Sequence, residues 1–311
     1  MNVFLFEYAT CIGHVPDSIA VEGLGMFNSL SEEFKQLSTV YTLPNELYGT
    51  SSEEWMEQFV QVARECEYGV AIAPEDDSIL LESTILLDGE VKNLGSYSYG
   101  VYTASDKWLS YLKLNKKVNM PVTSDDPLDK PYLIKPRTSC GGEGIQKMEN
   151  NDSDLPDGYI AQEYVQGEDI SVSLLVGDEV RVLSVNKQLV DDFKCYGVTV
   201  PFSVGEDVVE EAVKAAESIK GLFGYVGVDI VMGDAPYVVE VNPRITTPTI
   251  LFRDVYGVST ADLLLKNYEG KEIPQLTSRK KLTLKKVKGE HPDAFLSCSG
   301  YSLIKTDTEK N

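Results

Sequence analysis

Gly227-Val228-Asp229-Ile230-Val231-Met232, then the turn Gly233-Asp234, then Tyr237-Val238-Val239-Glu240-Val241-Asn242-Pro243-Arg244, is the stretch that decides the fold. Two apolar, β-rich runs joined by a Gly-Asp turn predict strands over Tyr225–Met232 and Tyr237–Val241 paired as a hairpin. Glu240 and Asn242 are two residues apart and share one face of their strand, and the short turn lets Asp229 approach that face. Two carboxylates and an amide oxygen converging among apolar neighbours make a hard-oxygen donor set of the kind that holds magnesium. Burying them unpaired is costly, so a cation or lysine side chains must stand opposite. Arg244 extends a planar donor fork at the edge of this group, suited to a carboxylate or phosphate. The plain alternative is the solvent face of a hairpin, and the apolar alternation around each acid weakens it.

Towards the N-terminus, Tyr159–Val165 and Ile170–Val176 read as strands, and Val180–Val185 pairs with the second through Gly177-Asp178. Between the first two lies Gln162-Glu163-Tyr164-Val165-Gln166-Gly167-Glu168-Asp169. An extended crossing segment can offer backbone groups to an adenine edge, and a carboxylate beyond it can take ribose hydroxyls; an exposed acidic loop is the simpler alternative. Further back, the strand Tyr132–Lys135 leads into Ser139-Cys140-Gly141-Gly142-Glu143-Gly144. Glycines let backbone N–H groups approach phosphate, and a nearby ammonium neutralises charge. The spacing is not that of a P-loop, and no GxGxxG follows a strand. Asp106–Leu114 reads as a helix beginning near Ser105.

Before residue 103 the pattern changes. Strands at Val3–Tyr8, Thr39–Leu43 and Tyr68–Ala73 alternate with helices through Leu24–Leu37, Trp55–Cys66 and Ser78–Leu87, which predicts a small parallel α/β unit. Helices are expected over Val208–Ile219 and Ser259–Asn267. The basic tail at Lys280, Lys281, Lys285, Lys286 and Lys288 reads as a solvated strand or edge face. The fold class is therefore α/β (α+β overall), with an N-terminal Rossmann-like unit followed by antiparallel sheet.

The chain carries 28 Lys and Arg against 49 Asp and Glu, a net charge of −21, which argues against nucleic-acid or anionic-membrane partners. No apolar run approaches the ~20 residues of a membrane span, and the opening MNVFLFEYATCIG lacks the basic region of a signal peptide. Five scattered cysteines without a CxxC pair fit reduced thiols in a cytoplasmic protein. With only two histidines, metal chemistry falls to the carboxylates.

These parts, in this order, resemble the ATP-grasp superfamily: a Rossmann-like pre-ATP-grasp domain (1–103), a small lid subdomain (104–166) and a C-terminal antiparallel-sheet subdomain with the metal site (167–311). The resemblance implies that Lys107 and Lys135 contact ATP phosphates under the mobile loop, with Ser139, Gly141, Gly142 and Gly144. It implies that Glu163 and Val165 meet adenine, and that Asp169, or Glu168 in a shifted alignment, meets ribose. Mg2+, or Mn2+ in its place, would sit on Asp229, Glu240 and Asn242. Several relatives carry an arginine just before the first metal aspartate; here Gly227 and Val228 stand there, so Arg244 or Lys187 is the candidate catalytic cation.

Phe6-Glu7-Tyr8, Ser184-Val185-Asn186-Lys187-Gln188 and Asn242-Pro243-Arg244-Ile245-Thr246-Thr247 look most like archaeal tyramine–glutamate ligases of methanofuran biosynthesis. That implies an ADP-forming carboxylate–amine ligase acting on L-glutamate and tyramine. Acceptor contacts are expected near Glu7, Tyr8, Glu22 and Gly23. An ATP-grasp ligase for another acid and amine, or a non-catalytic ATP-binding protein, are the other classes. The sequence is silent on oligomeric state, and a homodimer is compatible with it.

Overall fold

Parallel strands open the chain. β1 (Asn2–Glu7), β2 (Thr39–Tyr41), β3 (Tyr68–Ile72) and β4 (Lys92–Asn93) form a parallel sheet in the order β2-β1-β3-β4. Helices α1 (Tyr8–Cys11), α2 (Asp17–Lys35), α3 (Ser52–Ala63) and α4 (Ile79–Glu90) connect them. This computed structural model describes residues 1–149 and 154–308; residues 150–153, inside the expected lid, and 309–311, at the end of the expected C-terminal subdomain, lie outside the described residues.

β1 is apolar throughout because both its faces are covered. Phe4 and Phe6 pack with Trp55 and Phe59 of α3, with the Phe4 and Phe59 rings edge-on at 4.7 Å. Val3 and Leu5 point the other way, into a cluster containing Leu30 and Phe34 of α2 and also Leu282, Leu284 and Leu303 from the chain's last third. One apolar cluster thus runs across the residue-103 boundary.

Two helices follow, α5 (Ser98–Ser105) and α6 (Lys107–Leu114). Asp106 caps α6, its carboxylate accepting from the Trp108 and Leu109 N–H groups. α5 was not anticipated, because exposed Tyr99 and Tyr102 blur its apolar period.

A small antiparallel sheet comes next, β5 (Thr123–Ser124), β6 (Tyr132–Pro136), β7 (Gln146–Met148) and β8 (Tyr159–Glu163), in the order β5-β8-β6-β7.

The remaining strands make one eight-stranded antiparallel sheet. They are β9 (Glu168–Val176), β10 (Val180–Asp191), β11 (Lys194–Val200), β12 (Gly224–Met232), β13 (Pro236–Asn242), β14 (Leu282–Lys288), β15 (Ala294–Cys298) and β16 (Tyr301–Asp307). Their order is β13-β12-β9-β10-β11-β14-β16-β15. Helix α7 (Glu206–Ser218) packs Val208, Ala212, Ala215 and Ala216 against one face. The other face meets α2 and, through the shared core, α8 (Phe252–Tyr256) and α9 (Thr260–Tyr268).

The basic tail is a strand but not an edge. β14 is bonded on both sides, to β11 and β16, with Leu282 and Leu284 buried, and the edges are β13 and β15. Its lysines disguised an interior strand. Among the described residues no helix is long and apolar enough to cross a membrane.

Candidate active site

A cleft of about 920 Å3 opens where the three sheets meet, lined by residues from all of them. Its floor is the β12–β13 hairpin. Asp229 stands directly opposite Glu240, and Gly227 opposite Asn242, so the three oxygen-bearing side chains share one face. The Asn242 amide donates to one Asp229 oxygen at 2.9 Å, and Gln188 of β10 donates to the other at 3.0 Å. Burial, and then the Glu240 carboxylate, push the Asp229 carboxyl up to about 7.

Among the described residues no group of three His, Cys, Asp or Glu side chains forms a metal cluster. The donor set is two carboxylates and an amide. A hard divalent cation fits it: two like charges face each other on adjacent strands, one already resisting ionisation, with an amide oxygen within reach.

The floor is polar beneath these acids, yet its groups are satisfied. Asn186 donates to Ser171 and Ser173, Ser184 donates to Asn186 at 2.7 Å, and Tyr225 bonds Ser173 and Thr246. Such a network fixes the strands carrying the acids.

Lys107 and Lys135 face this floor. Lys107, at the start of α6, is buried and ion-paired to Glu240 at 2.9 Å, and donates to the Ser139 carbonyl at 2.9 Å and its hydroxyl at 3.2 Å. Burial works against its charge, but Glu240 outweighs burial and holds its pKa above the ordinary lysine value. Lys135, on β6, donates to the Gln162 side chain at 2.7 Å. Burial pulls its pKa down to about 8; Glu240 opposes that fall and Lys107 adds to it. Two buried ammonium groups thus converge where one carboxylate answers them, a setting that favours a polyanion.

The glycine loop closes over this group. Gly141, Gly142 and Gly144 all have positive φ, at 64°, 78° and 74°. A Cβ on Gly142 would come within 2.0 Å of the Phe193 carbonyl, so the loop packs directly on the β10–β11 turn. Glu143 pairs with Lys194 across the same contact at 3.1 Å, and the Cys140 N–H donates to Asp76.

Glu163 and Val165 line the cleft at the end of β8; the Glu163 N–H donates to the Val122 carbonyl, and its carboxylate pairs with Lys130 at 2.6 Å. Asp169 lines the cleft and Glu168 does not. Burial raises the Asp169 pKa, against the pull of Lys135.

Two catalytic expectations meet a different geometry. Lys187 lies outside the cleft lining, ion-paired to Glu168 and held over the Phe202 ring at 5.3 Å. Strand alternation is the reason: Asn186 and Gln188 point to the floor, so Lys187 between them points away. Arg244 does line the cleft, but its fork is engaged. Nε and Nη2 donate to the two Glu75 oxygens, both at 2.8 Å, with Glu75 only 2% exposed. Burial disfavours the Arg244 charge, and Glu75 more than restores it. An arginine at 227 would meet the Thr246 methyl, 3.0 Å from where its Cβ would lie.

Sequence reasoning passed over Gln188, Gln162 and Glu75. The first two are amides inside apolar strands, a pattern that could have marked them. Glu75 follows Pro74 in a loop, and nothing local distinguishes it.

Residues 104–248, which hold both lysines, the loop and the floor acids, match the family model of the ATP-grasp domain. The chain is also 33% identical to a tyramine–L-glutamate ligase of Methanocaldococcus fervens, over 91% of this chain and all of that protein. The chain belongs to the ATP-grasp superfamily. A second tyramine–L-glutamate ligase, from Methanocaldococcus jannaschii, is 32% identical over 91% of this chain and 94% of its own length. The crystal structure of an ATP-grasp superfamily protein from Archaeoglobus fulgidus superposes with a TM-score of 0.85 at 39% identity, covering 99% of both chains. In this ATP-grasp chain the nucleotide-facing residues lie on the small sheet and the floor acids on the large one, with the cleft between.

Proposed function

We propose that this protein is an ADP-forming ligase that phosphorylates the γ-carboxylate of L-glutamate and joins it to the amine of tyramine, giving γ-glutamyltyramine. The observation that carries this is the convergence of Lys107, Lys135, Asp229, Glu240 and Asn242 in one cleft of a chain that aligns with tyramine–L-glutamate ligases over nearly its full length.

ATP lies between the small sheet and the floor, with adenine at Glu163 and Val165 and ribose at Asp169. Lys107 and Lys135 hold the phosphates, and the loop Ser139–Gly144 covers them. Asp229, Glu240 and Asn242 would hold Mg2+, which supplies charge neutralisation to the phosphates when bound. The γ-phosphoryl group passes to the carboxylate oxygen, releasing ADP and leaving an acyl phosphate. Positioning and charge compensation carry this step. The amine then attacks the acyl carbon, phosphate leaves, and a proton is lost. The loop resting on the β10–β11 turn excludes water, which would otherwise consume the acyl phosphate. Arg244, oriented by Glu75, presents charge to the same space. We place the protein in the cytoplasm, on its free thiols, and divide it at residues 103 and 166 as its sequence suggests.

The test is end-point mass spectrometry with ATP, Mg2+, L-glutamate and tyramine, each omitted in turn. The γ-glutamyltyramine mass should appear only in the full mixture, with equal ADP. No product alongside tight ATP binding would overturn the substrate pair and leave a ligase for another acid and amine.

A further inference from the structure

One wall of the cleft is built by elements outside the matched ATP-grasp domain. On α2, Ser18, Ile19, Glu22, Gly23 and Met26 recur at helical spacing and line the space. Facing them is β14, from which Lys286 reaches Glu22 at 2.5 Å, the two side chains 13% and 21% accessible. The second Glu22 oxygen accepts from the Thr247 hydroxyl at 2.8 Å. Thr247 lies shortly after Asn242 and Arg244 in the chain, which ties this wall to the floor. Tyr301 also lines the cleft, and the β14–β16 register puts it on the same sheet face as Lys286.

A largely buried ion pair seldom stabilises a fold better than apolar residues of the same size would. Here the pair faces a cavity, between a helix and a strand whose other inward residues are apolar. An ammonium and a carboxylate side by side are the mirror image of an amino acid's α-groups. We propose that Glu22 and Lys286 are the subsite for the zwitterionic head of the acid substrate. Glu22 accepts from the α-ammonium, Lys286 donates to the α-carboxylate, and Thr247 steadies Glu22. The pair closed in the ligand-free protein opens to exchange each partner for its counterpart on the substrate. With both α-groups held at this wall, the side-chain carboxyl alone is left to reach the phosphates. That explains activation of the γ-carboxyl over the α-carboxyl, and it rests on the amino-acid ligase reading above.

The test pairs two nearly isosteric neutral variants with substrates that lack one α-group each. Glu22→Gln and Lys286→Met are assayed with L-glutamate, with glutarate (no ammonium) and with 4-aminobutyrate (no α-carboxylate), with tyramine fixed. The wild type should prefer L-glutamate strongly over both analogues, because a site built for a charged group rejects a ligand without it. Glu22→Gln should raise the L-glutamate KM by about tenfold or more, the cost of one charge-assisted contact. It should leave the glutarate KM nearly unchanged, so the two converge. Lys286→Met should do the same for L-glutamate against 4-aminobutyrate. An ADP-induced rise in melting temperature equal to the wild type's shows that each variant is folded. Preferences that stay as in the wild type, or an equal loss for all three acids, would overturn the clamp. If the wild type makes no γ-glutamyl product, the substrate reading falls on its own. The clamp is then read by melting temperature, with ADP and each common amino acid against its deaminated acid. An amino-acid-specific shift lost in both variants supports it, and no such shift in the wild type overturns it.

Discussion

Glu75 and Arg244, 169 residues apart, form a two-pronged ion pair at the cleft, both contacts at 2.8 Å. Glu75 follows the parallel strand β3, and Arg244 follows the antiparallel hairpin carrying the floor acids. The pair locks the first sheet to the third at the place where chemistry is expected. Breaking a buried pair from one side leaves an uncompensated charge, at a cost of about 3–5 kcal/mol. Glu75→Ala should therefore destabilise the protein strongly in urea unfolding. The double variant with Arg244→Ala should lose less than the sum of the single losses. Additive losses would show that the two side chains do not act as a pair.

Lys135 should make nucleotide binding pH-dependent. Burial lowers its pKa to about 8, so its charge is present below that pH and lost above it. The Kd for ADP, measured by calorimetry, should rise as pH is taken from 7 through 9. Lys135→Ala should bind ADP more weakly at pH 7 and show a flatter profile. An identical pH profile in the variant would remove the lysine from the phosphate site.

Asp229 gives stability the opposite dependence from an ordinary salt-bridged carboxylate. Its carboxyl is raised from 3.8 to about 7 in the folded chain. The folded state then binds its proton more tightly than the unfolded state does. The stability this contributes is fully present below about pH 4 and lost as pH rises through about 7. In metal-free buffer, Asp229→Asn should be more stable than the wild type at pH 8 and should differ less from it near pH 4. Added Mg2+ should raise the wild-type melting temperature more at pH 8 than at pH 6, and should not raise that of the variant. A variant that responds to Mg2+ as the wild type does would sink the metal assignment.

Gln188 and Lys187 are neighbours with opposite faces. Gln188→Ala removes a donor from Asp229 and should lower kcat by about tenfold. Lys187→Met should lower it much less, because that side chain packs on Phe202 and Glu168 away from the cleft. The reverse order in steady-state kinetics would return Lys187 to the site.

Gly142→Ala should damage closure rather than folding. Its φ of 78° and the Phe193 carbonyl 2.0 Å from the new Cβ both oppose a side chain. Turnover should fall with little change in the urea midpoint. Wild-type kcat in this variant would mean the loop need not rest on the β10–β11 turn.

Much of this architecture was legible in the sequence because it is written in short periods. The β12–β13 hairpin carries its turn and its alternation within a single stretch, so Asp229, Glu240 and Asn242 could be placed on one face without coordinates. The α/β repeat of the first hundred residues is equally local. α5 was hidden by exposed tyrosines. β14 looked like an edge because its lysines alternate with leucines whose partners lie in β11 and β16. Lys187 was singled out because a charge catches the eye, while the residue beside it, Gln188, faces the cleft.

By itself the sequence determined the order of elements, the parallel and antiparallel regions, the oxygen-donor hairpin and the pairing of lysine with glycine loop. Each depends on neighbours a few residues apart, where backbone geometry dictates which side chains share a face. Only the tertiary structure decided which cation answers which acid. Lys107 finds Glu240, Arg244 finds Glu75 and Lys286 finds Glu22 across long stretches of chain. Such pairings come from the packing of three sheets around one cleft, and burial then sets their charge states. No local pattern encodes either.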